Sequence, residues 1–440
     1  MRRFFTVAVV LVLSGCVRRV VPPTEVLDQA NEAAAQPNAD SRTLALAGWH
    51  ALLLTGNADE ARARFDSSLE RSAAEPWALY GQAMLALRSA SPQRALGAAL
   101  DLCERNPRHP LSAPAARVVL EVAGNAASTD QLIIDRVPAM LEKGLLTEAA
   151  QLLRSSLATI YQARHDLPRH AQTVLDMGVP TAATLVGPFS AWHVLSAGER
   201  TAPETTGSMS ALGRGPFGEL QPRTIRFADG RFSLGGEPTT GDVYVLAVDA
   251  TVTQGGRYEV RSTSSMDHVV TIDGTVVIER LTWQHPAPTL LVRDFELPAG
   301  QHRLMVRMTK EEALGFLTIG LVRVDGQPSR VTFEPAQGPA PKWSGLELPD
   351  REPVRDGAPA VYRELFDEGG EALARFIAAR DSLGRHRDGA WRMMNALPPT
   401  VNVHAAEGKV AEQPKRSTKR RARITKNPDG SHSIESEDGE

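Results

Sequence analysis

Cysteine is scarce in this sequence: 440 residues hold two, which excludes a disulfide framework and any cysteine-rich zinc site. An excess of charge of one sign is also missing. The 49 Lys and Arg residues stand against 52 Asp and Glu, a formal charge of -3, so the chain lacks the global basic field of a dedicated nucleic-acid binder. Catalytic signatures are absent too: there is no Gly-x-Ser-x-Gly elbow, no phosphate-cradling Gly-x4-Gly-Lys-Ser/Thr loop, no His-Glu-x-x-His helix and no dinucleotide fingerprint. The 11 histidines occur singly, without metal-ligand spacing. What remains is a globular composition, 42% hydrophobic and 23% charged with 5% aromatic residues, and length enough for about three folding units.

The start of the chain is an address. Arg2 and Arg3 precede an apolar stretch, Phe4 to Leu13, that is too short to span a bilayer and reads as a secretory signal. Leu13-Ser14-Gly15-Cys16 follows and resembles the bacterial lipobox. That resemblance implies cleavage before Cys16 and acylation of its sulfur and its new amino group. Several acyl chains, each adding about 0.8 kcal/mol per buried methylene, would hold the protein on a membrane without a spanning helix. Val17 after the cysteine, in place of Asp, points to the outer membrane by the sorting rule of enteric bacteria. Lipidation leaves Cys103 alone, and its apolar helical run, Ala98 to Cys103, makes it a small core residue. Pro22, Pro23 and Pro37 among Ala, Asn and Gln give residues 16–40 the composition of a tether.

From Ser41 the chain reads as helices with short breaks, and an internal repeat aligns by hand. Gly56-x4-Ala61-x3-Phe65-x2-Ser68 recurs as Ala90-x4-Ala95-x3-Ala99-x2-Leu102, offset by 34 residues. Small residues at Ala61 and Ala95 let the second helix of a pair approach the first, and Phe65 would fill the groove between repeats. A third copy, Gly144-x4-Ala149-x3-Leu153-x2-Ser156, is out of step, so the array is expected to be irregular, with an extra element near Leu111 to Val122. The period and Pro107 resemble tetratricopeptide repeats, which implies a solenoid that binds a peptide or protein. His109, His165 and His170 read as surface residues.

At Val179-Pro180 helical periodicity gives way to alternating runs between glycines and prolines: Asp242 to Thr253, Gly256 to Ser264, His268 to Glu279, Thr289 to Leu297, Gln301 to Met308 and Phe316 to Val324. Asp273-Gly274 between two apolar quartets is the strongest hairpin signal. Six short strands with such turns predict an antiparallel β-sandwich of the jelly-roll type. Gly187-Pro188-Phe189, the Asp273-Gly274 turn and Leu297 to Leu304 resemble a sandwich found in large bacterial helical-repeat proteins, and are similar to non-catalytic carbohydrate-binding jelly rolls. Glycan binding would need aromatic faces for pyranose rings and carboxylates for hydroxyls. Trp283, His285, Tyr258, Asp267 and His268 are the candidates, although a single tryptophan such as Trp283 is better suited to plugging one end of the core.

The fold class expected is therefore multidomain α + β. A signal peptide (1–15) and lipidated tether (16–40) lead into helical repeats (41–178), then the sandwich (179–335). A Pro-rich linker (336–360), a helical segment (361–397) and a charged tail (398–440) expected to be disordered follow. The tail carries seven basic residues between Lys415 and Lys426 and then five acids from Asp429 to Glu440, suited to anionic polymer or lipid. The whole reads as a non-catalytic envelope scaffold or adaptor, lipid-anchored in the outer membrane on its periplasmic or outer face. Its partners would be envelope proteins, with no nucleic acid, cofactor or metal. A polysaccharide-binding lipoprotein using the sandwich, and a non-catalytic remnant of a larger repeat enzyme, are the alternatives.

Overall fold

Helix boundaries follow local chemistry. In the computed structural model, described for residues 23–189, 200–210, 212–227, 230–234, 243–264, 266–281, 289–309, 316–340, 346, 355–356, 422–426 and 432–436, nine helices precede the first strand. They are α1 (Pro23–Ala33), α2 (Ser41–His50), α3 (Ala58–Arg71), α4 (Pro76–Arg88), α5 (Pro92–Arg105), α6 (Ser112–Val122), α7 (Ala127–Glu142), α8 (Thr147–Ala163) and α9 (Leu167–Asp176). Proline opens α1, α4 and α5, where its missing N–H costs nothing. The carboxylate of Asp40 accepts the Thr43 N–H at 2.6 Å, and Asn57 accepts that of Glu60 at 3.1 Å, capping α2 and α3. A single π turn, Ala51–Thr55, extends α2. No helix among the described residues is long and apolar enough to cross a membrane.

Helices begin at Ser41, Pro76, Ser112 and Thr147, about 35 residues apart, but the array is irregular, as expected: α2 packs on α3, α4 on α5 and α8 on α9, whereas α6 packs on α5 and α8 and barely meets α7. The third sequence copy is out of step because Ala149 lies on α8, the first helix of its pair, whereas Ala61 and Ala95 lie on the second helices α3 and α5. Phe65, fully buried on α3, wedges between α2 and α4. A Cβ on Gly48 would meet its ring at 2.5 Å and one on Gly81 at 2.3 Å, so these two positions need glycine for space. Trp49 meets Phe65 edge-on at 5.7 Å and Tyr80 at 5.8 Å. The tether expectation needs correction at its second half. Residues Pro23–Ala33 are helical, and Leu27 is fully buried against the array because Val26, Leu27 and Ala30 give that stretch an apolar face.

The strands are β1 (Ala182–Val186), β2 (Arg214–Gly215), β3 (Gly218–Glu219), β4 (Arg223–Arg226), β5 (Arg231–Ser233), β6 (Val243–Val252), β7 (Gly256–Ser264), β8 (His268–Ile272), β9 (Thr275–Arg280), β10 (Thr289–Leu297), β11 (Gly300–Thr309), β12 (Phe316–Arg323), β13 (Val331–Pro335) and β14 (Arg355–Asp356). A seven-stranded sheet runs β4-β1-β6-β11-β8-β9 with β13 beside β6, and a five-stranded sheet runs β14-β10-β7-β12-β5. All pairs are antiparallel. From β6 onward most connections cross between the sheets, as in a jelly roll. Period-two alternation puts Tyr258, Val260, Ile319 and Leu321 of one sheet against Leu246, Val248, Leu304 and Val306 of the other.

Both outer faces are covered. On the five-stranded sheet, α8 and α9 lie over β7 and β12: Thr147 Oγ1 donates to Val324 O at 2.8 Å, and the Leu321 and Ser329 amides each donate at 2.9 Å, to Gly178 O and Asp176 O. Contact is so close that a Cβ at Gly178 would come within 1.9 Å of Leu321 O, and one at Gly326 within 2.2 Å of Leu145 O. Both glycines also have positive φ, +71° and +74°. On the seven-stranded sheet, a short helix α10 (Ala202–Thr206), Met209, Leu212 and Ala336 cover Val245, Ala247 and Met305. The Pro-rich stretch therefore begins inside the sandwich instead of as a free linker, since Ala336 is buried and Gln337 and Gly338 bond to it. Residues 361–397, expected to be helical, lie outside the described residues.

The C-terminal residues from Asn402 form a second compact unit. Within it β15 (Ala422–Lys426) pairs antiparallel with β16 (His432–Ser436), setting Arg423 opposite Glu435 and Ile424 opposite Ile434. The other residues of the charged tail lie outside the described residues. Asn427-Pro428-Asp429-Gly430 between the strands is turn chemistry, and the β-branched Ile424, Thr425 and Ile434 favour extended backbone.

Candidate functional site

Strand register gathers several loops at one end of the sandwich. Ser264 lies opposite Thr289 and Leu317, His268 opposite Met308 and Arg280, and Thr309 opposite Val243. Asp267 and His268 sit at this end, as do Arg280 and Thr289, which flank the segment carrying Trp283 and His285. Those two candidates lie outside the described residues, as does Cys16.

The residues described here are buried. His268 is 1% exposed, its Nε2 2.9 Å from Ser262 Oγ and its Nδ1 2.9 Å from Met266 O. Only a protonated Nδ1 can pair with a carbonyl, so Nε2 is the acceptor and Ser262 donates to it. Asp267 is 2% exposed, and its carbonyl accepts the Thr309 N–H at 3.1 Å. Arg280 Nη1 donates to Ser264 O at 2.6 Å. A serine hydroxyl on an imidazole is the geometry of nucleophile activation, but with Ser262 fully buried the pair acts as a polar plug at the end of the core. Ser262 and Arg280 were not legible as site residues. The one signal for Ser262 is the small polar run Ser262-Thr263-Ser264 on a strand that is otherwise apolar on its inner side, and Arg280 carries none.

Burial pushes the His268 imidazole down to about 4, reinforced by the Arg280 charge and opposed by the Met266 carbonyl and Asp267. Because the folded value lies below the ordinary 6.5, the unfolded chain takes up the proton first as pH falls. The stability contribution is complete above about pH 6.5 and is lost down to about pH 4. Urea unfolding of the native chain is expected to lose up to about 1.4 kcal/mol per pH unit across that window from this group alone. His268→Gln should flatten the curve by that amount. Equal slopes in the two proteins would show that His268 does not carry the effect.

Tyr258 does not belong to this site. It lies six residues down β7 from Ser264, about 20 Å away, with its ring buried in the core and its hydroxyl 2.8 Å from Gln254 O. The expected stacking role is corrected: no face of that ring is available to a sugar. Burial raises its phenol above the ordinary range.

On the helical side, α8 is buried without interruption from Ala149 to Ala158, leaving the second helices as the array's accessible flank. The Cys103 thiol is fully buried, 3.4 Å from Ser112 O, and desolvation pushes it up to about 12. His165 is exposed and His109 half-buried, but His170, on α9, is buried, against expectation. Among the described residues, no group of three or more His, Cys, Asp or Glu is placed to hold a metal ion.

The fold and these sites define a two-part α + β chain, an array of helix pairs seated on the outer face of an antiparallel sandwich. No protein-family model matches the sequence, and no curated protein does. Among solved structures it is similar to a selenomethionine-labelled β-glucosidase from Kluyveromyces marxianus, at 9% identity and a TM-score of 0.21 over 23% of this chain and 14% of that one. The same enzyme in complex with glucose matches at 12% identity and a TM-score of 0.22, over 25% of this chain and 15% of the other. The chain thus spans about one-seventh of the enzyme it resembles, and a likeness of that size carries no argument about activity.

Proposed function

We propose that the protein is a lipid-anchored envelope scaffold. Its tetratricopeptide-like helix pairs hold a partner protein, the sandwich is a second docking module, and acylated Cys16 fixes both to the outer membrane. One observation supports the reading above the others: the array and the sandwich are joined by a seam of backbone and charged contacts from Glu148 and Arg154 to Arg261 and Gly326, an arrangement suited to presenting two surfaces at a fixed spacing.

The test is isolation of the native chain under mild crosslinking, through a handle placed after Glu440, with mass spectrometry of the partners and of the Cys16 terminus. A defined set of envelope proteins together with an acylated terminus is the expected result. Recovery of glycan alone, or of nothing, overturns the scaffold. The polysaccharide reading loses Tyr258 and Asp267 to burial and rests on Trp283 and His285, which lie outside the described residues. Sugar-dependent quenching of tryptophan fluorescence, abolished in Trp283→Ala, is its signature.

A further inference from the structure

We propose that the seam between α8 and the sandwich is a binding site for one halide ion, of chloride size, held by the guanidinium of Arg154 and the side-chain amide of Gln151. The site is independent of the scaffold reading.

Helix geometry puts the donors together. Thr147, Glu148, Gln151 and Arg154 share the face of α8 turned to the five-stranded sheet: Thr147 Oγ1 donates to Val324 O, Glu148 pairs with Arg261, and Arg154 Nη2 donates to Gly326 O at 2.7 Å. Gln151 and Arg154 are three residues apart and so neighbours along that face. Each is 2% exposed. Arg154 Nη1 and Gln151 Nε2 are buried without a hydrogen-bond partner. A buried N–H left unpaired is costly, and two of them on neighbouring side chains call for a shared acceptor.

Charge decides what kind of acceptor. Burial pulls the Arg154 guanidinium down to about 10, opposed by the charges of Asp176 and Asp325, so it is a cation at neutral pH. Neither acid is its ion-pair partner. Asp325 is held by Arg323 and accepts the Gln327 N–H at 3.1 Å, and Asp176 accepts from Gln172 Nε2 at 2.9 Å. A buried cation needs a counter-charge. Water would bring hydrogens that need acceptors of their own, whereas a halide brings only acceptance and negative charge. Arg261 Nη1, in the same seam, also lacks a partner, but Glu148 and Glu259 already neutralise that guanidinium and would repel an anion. Arg154 is therefore the seat of the ion.

Space sets its size. The layers meet so closely that a Cβ on Gly326, whose carbonyl Arg154 holds, would lie 3.5 Å from Ala150 Cβ and 2.2 Å from Leu145 O. A tetrahedral oxyanion needs a wider gap. Gln151 and Arg154 are long and unbranched, so rotation of the two side chains admits a monatomic ion while the backbones of α8 and β12 stay in place. The ion is enclosed as the layers dock, and it clamps one to the other.

The probe is chloride, exchanged for gluconate at constant ionic strength, with the full-length protein in detergent and urea unfolding read by circular dichroism. Raising chloride from about 1 to about 100 mM is expected to increase the folding equilibrium constant about tenfold. Arg154→Met should fold, because it removes a lone buried charge while keeping an unbranched side chain, and should lose the chloride dependence. Gln151→Leu should weaken that dependence several-fold. Crystals of the native chain grown in sodium bromide supply a readout that needs no variant: anomalous scattering is expected between Arg154 Nη1 and Gln151 Nε2. The proposal falls if chloride leaves the native equilibrium unchanged, if Arg154→Met keeps the native chloride dependence, or if bromide scatters at the protein surface alone, an adventitious ion only.

Discussion

Asp249→Ala is expected to cost about 3–5 kcal/mol of unfolding free energy. Arg303 on β11 is fully buried, on the outer side of the seven-stranded sheet. Its Nε and one Nη meet the two Asp249 carboxylate oxygens at 2.7 and 2.8 Å. The remaining N–H groups donate to the carbonyls of Gly207 at 2.7 Å, Gly338 at 2.8 Å and Gln337 at 2.9 Å. All five guanidinium donors are used, so one side chain ties two distant covering segments to the sheet. Removing Asp249 leaves a buried cation with neutral partners alone. The Asp249 side chain is 24% exposed, so water entering its place sets the loss toward the lower figure. Urea denaturation measures it, and a change below about 1 kcal/mol would show that solvent replaces the carboxylate. Asp249→Leu combined with Arg303→Met should recover most of the loss, because the penalty arises from an unpaired charge rather than from missing volume.

What the sequence made legible was whatever neighbours decide. All six alternating runs became strands, and Asp273-Gly274 became a hairpin turn, because side-chain period and turn chemistry act over a few residues. The turn did more than was legible. Asp273 is buried, its carboxylate accepting the Arg303 N–H at 2.9 Å and lying 2.7 Å from His302 Nδ1. Arg303 and Asp249 are 54 residues apart, and nothing local marks a charged residue on an alternating strand as covered. Outward-facing Glu259, Arg261 and Arg307 look solvated for the same reason and are buried under α8 and α10. The short strands β1, β4, β5 and β13 were missed because three to five residues carry too little periodicity.

Arg261→Ala should match the first loss, at about 3–5 kcal/mol, and also change how the chain unfolds. Arg261, on the outer side of β7, is buried between Glu148 of α8 and Glu259 of its own strand, with its Nε 3.0 Å from the Glu259 carboxylate. Burial alone would depress the guanidinium, but the two carboxylates override it and hold it above its ordinary range. Without it, two buried acids face each other across the seam that joins helices to sandwich. They can relieve that only by taking up protons or by separating the layers. Helical signal at 222 nm and hydrogen exchange in β7 and β12 should therefore lose a shared transition and report two. Glu148→Gln, which keeps a hydrogen-bonding group and leaves Glu259 in place, should lose less and retain one transition. Two transitions already present in the native chain would mean that the seam does not couple the layers. The fixed spacing that supports the scaffold reading would then have to come from the backbone contacts at Gly178 and Gly326 instead.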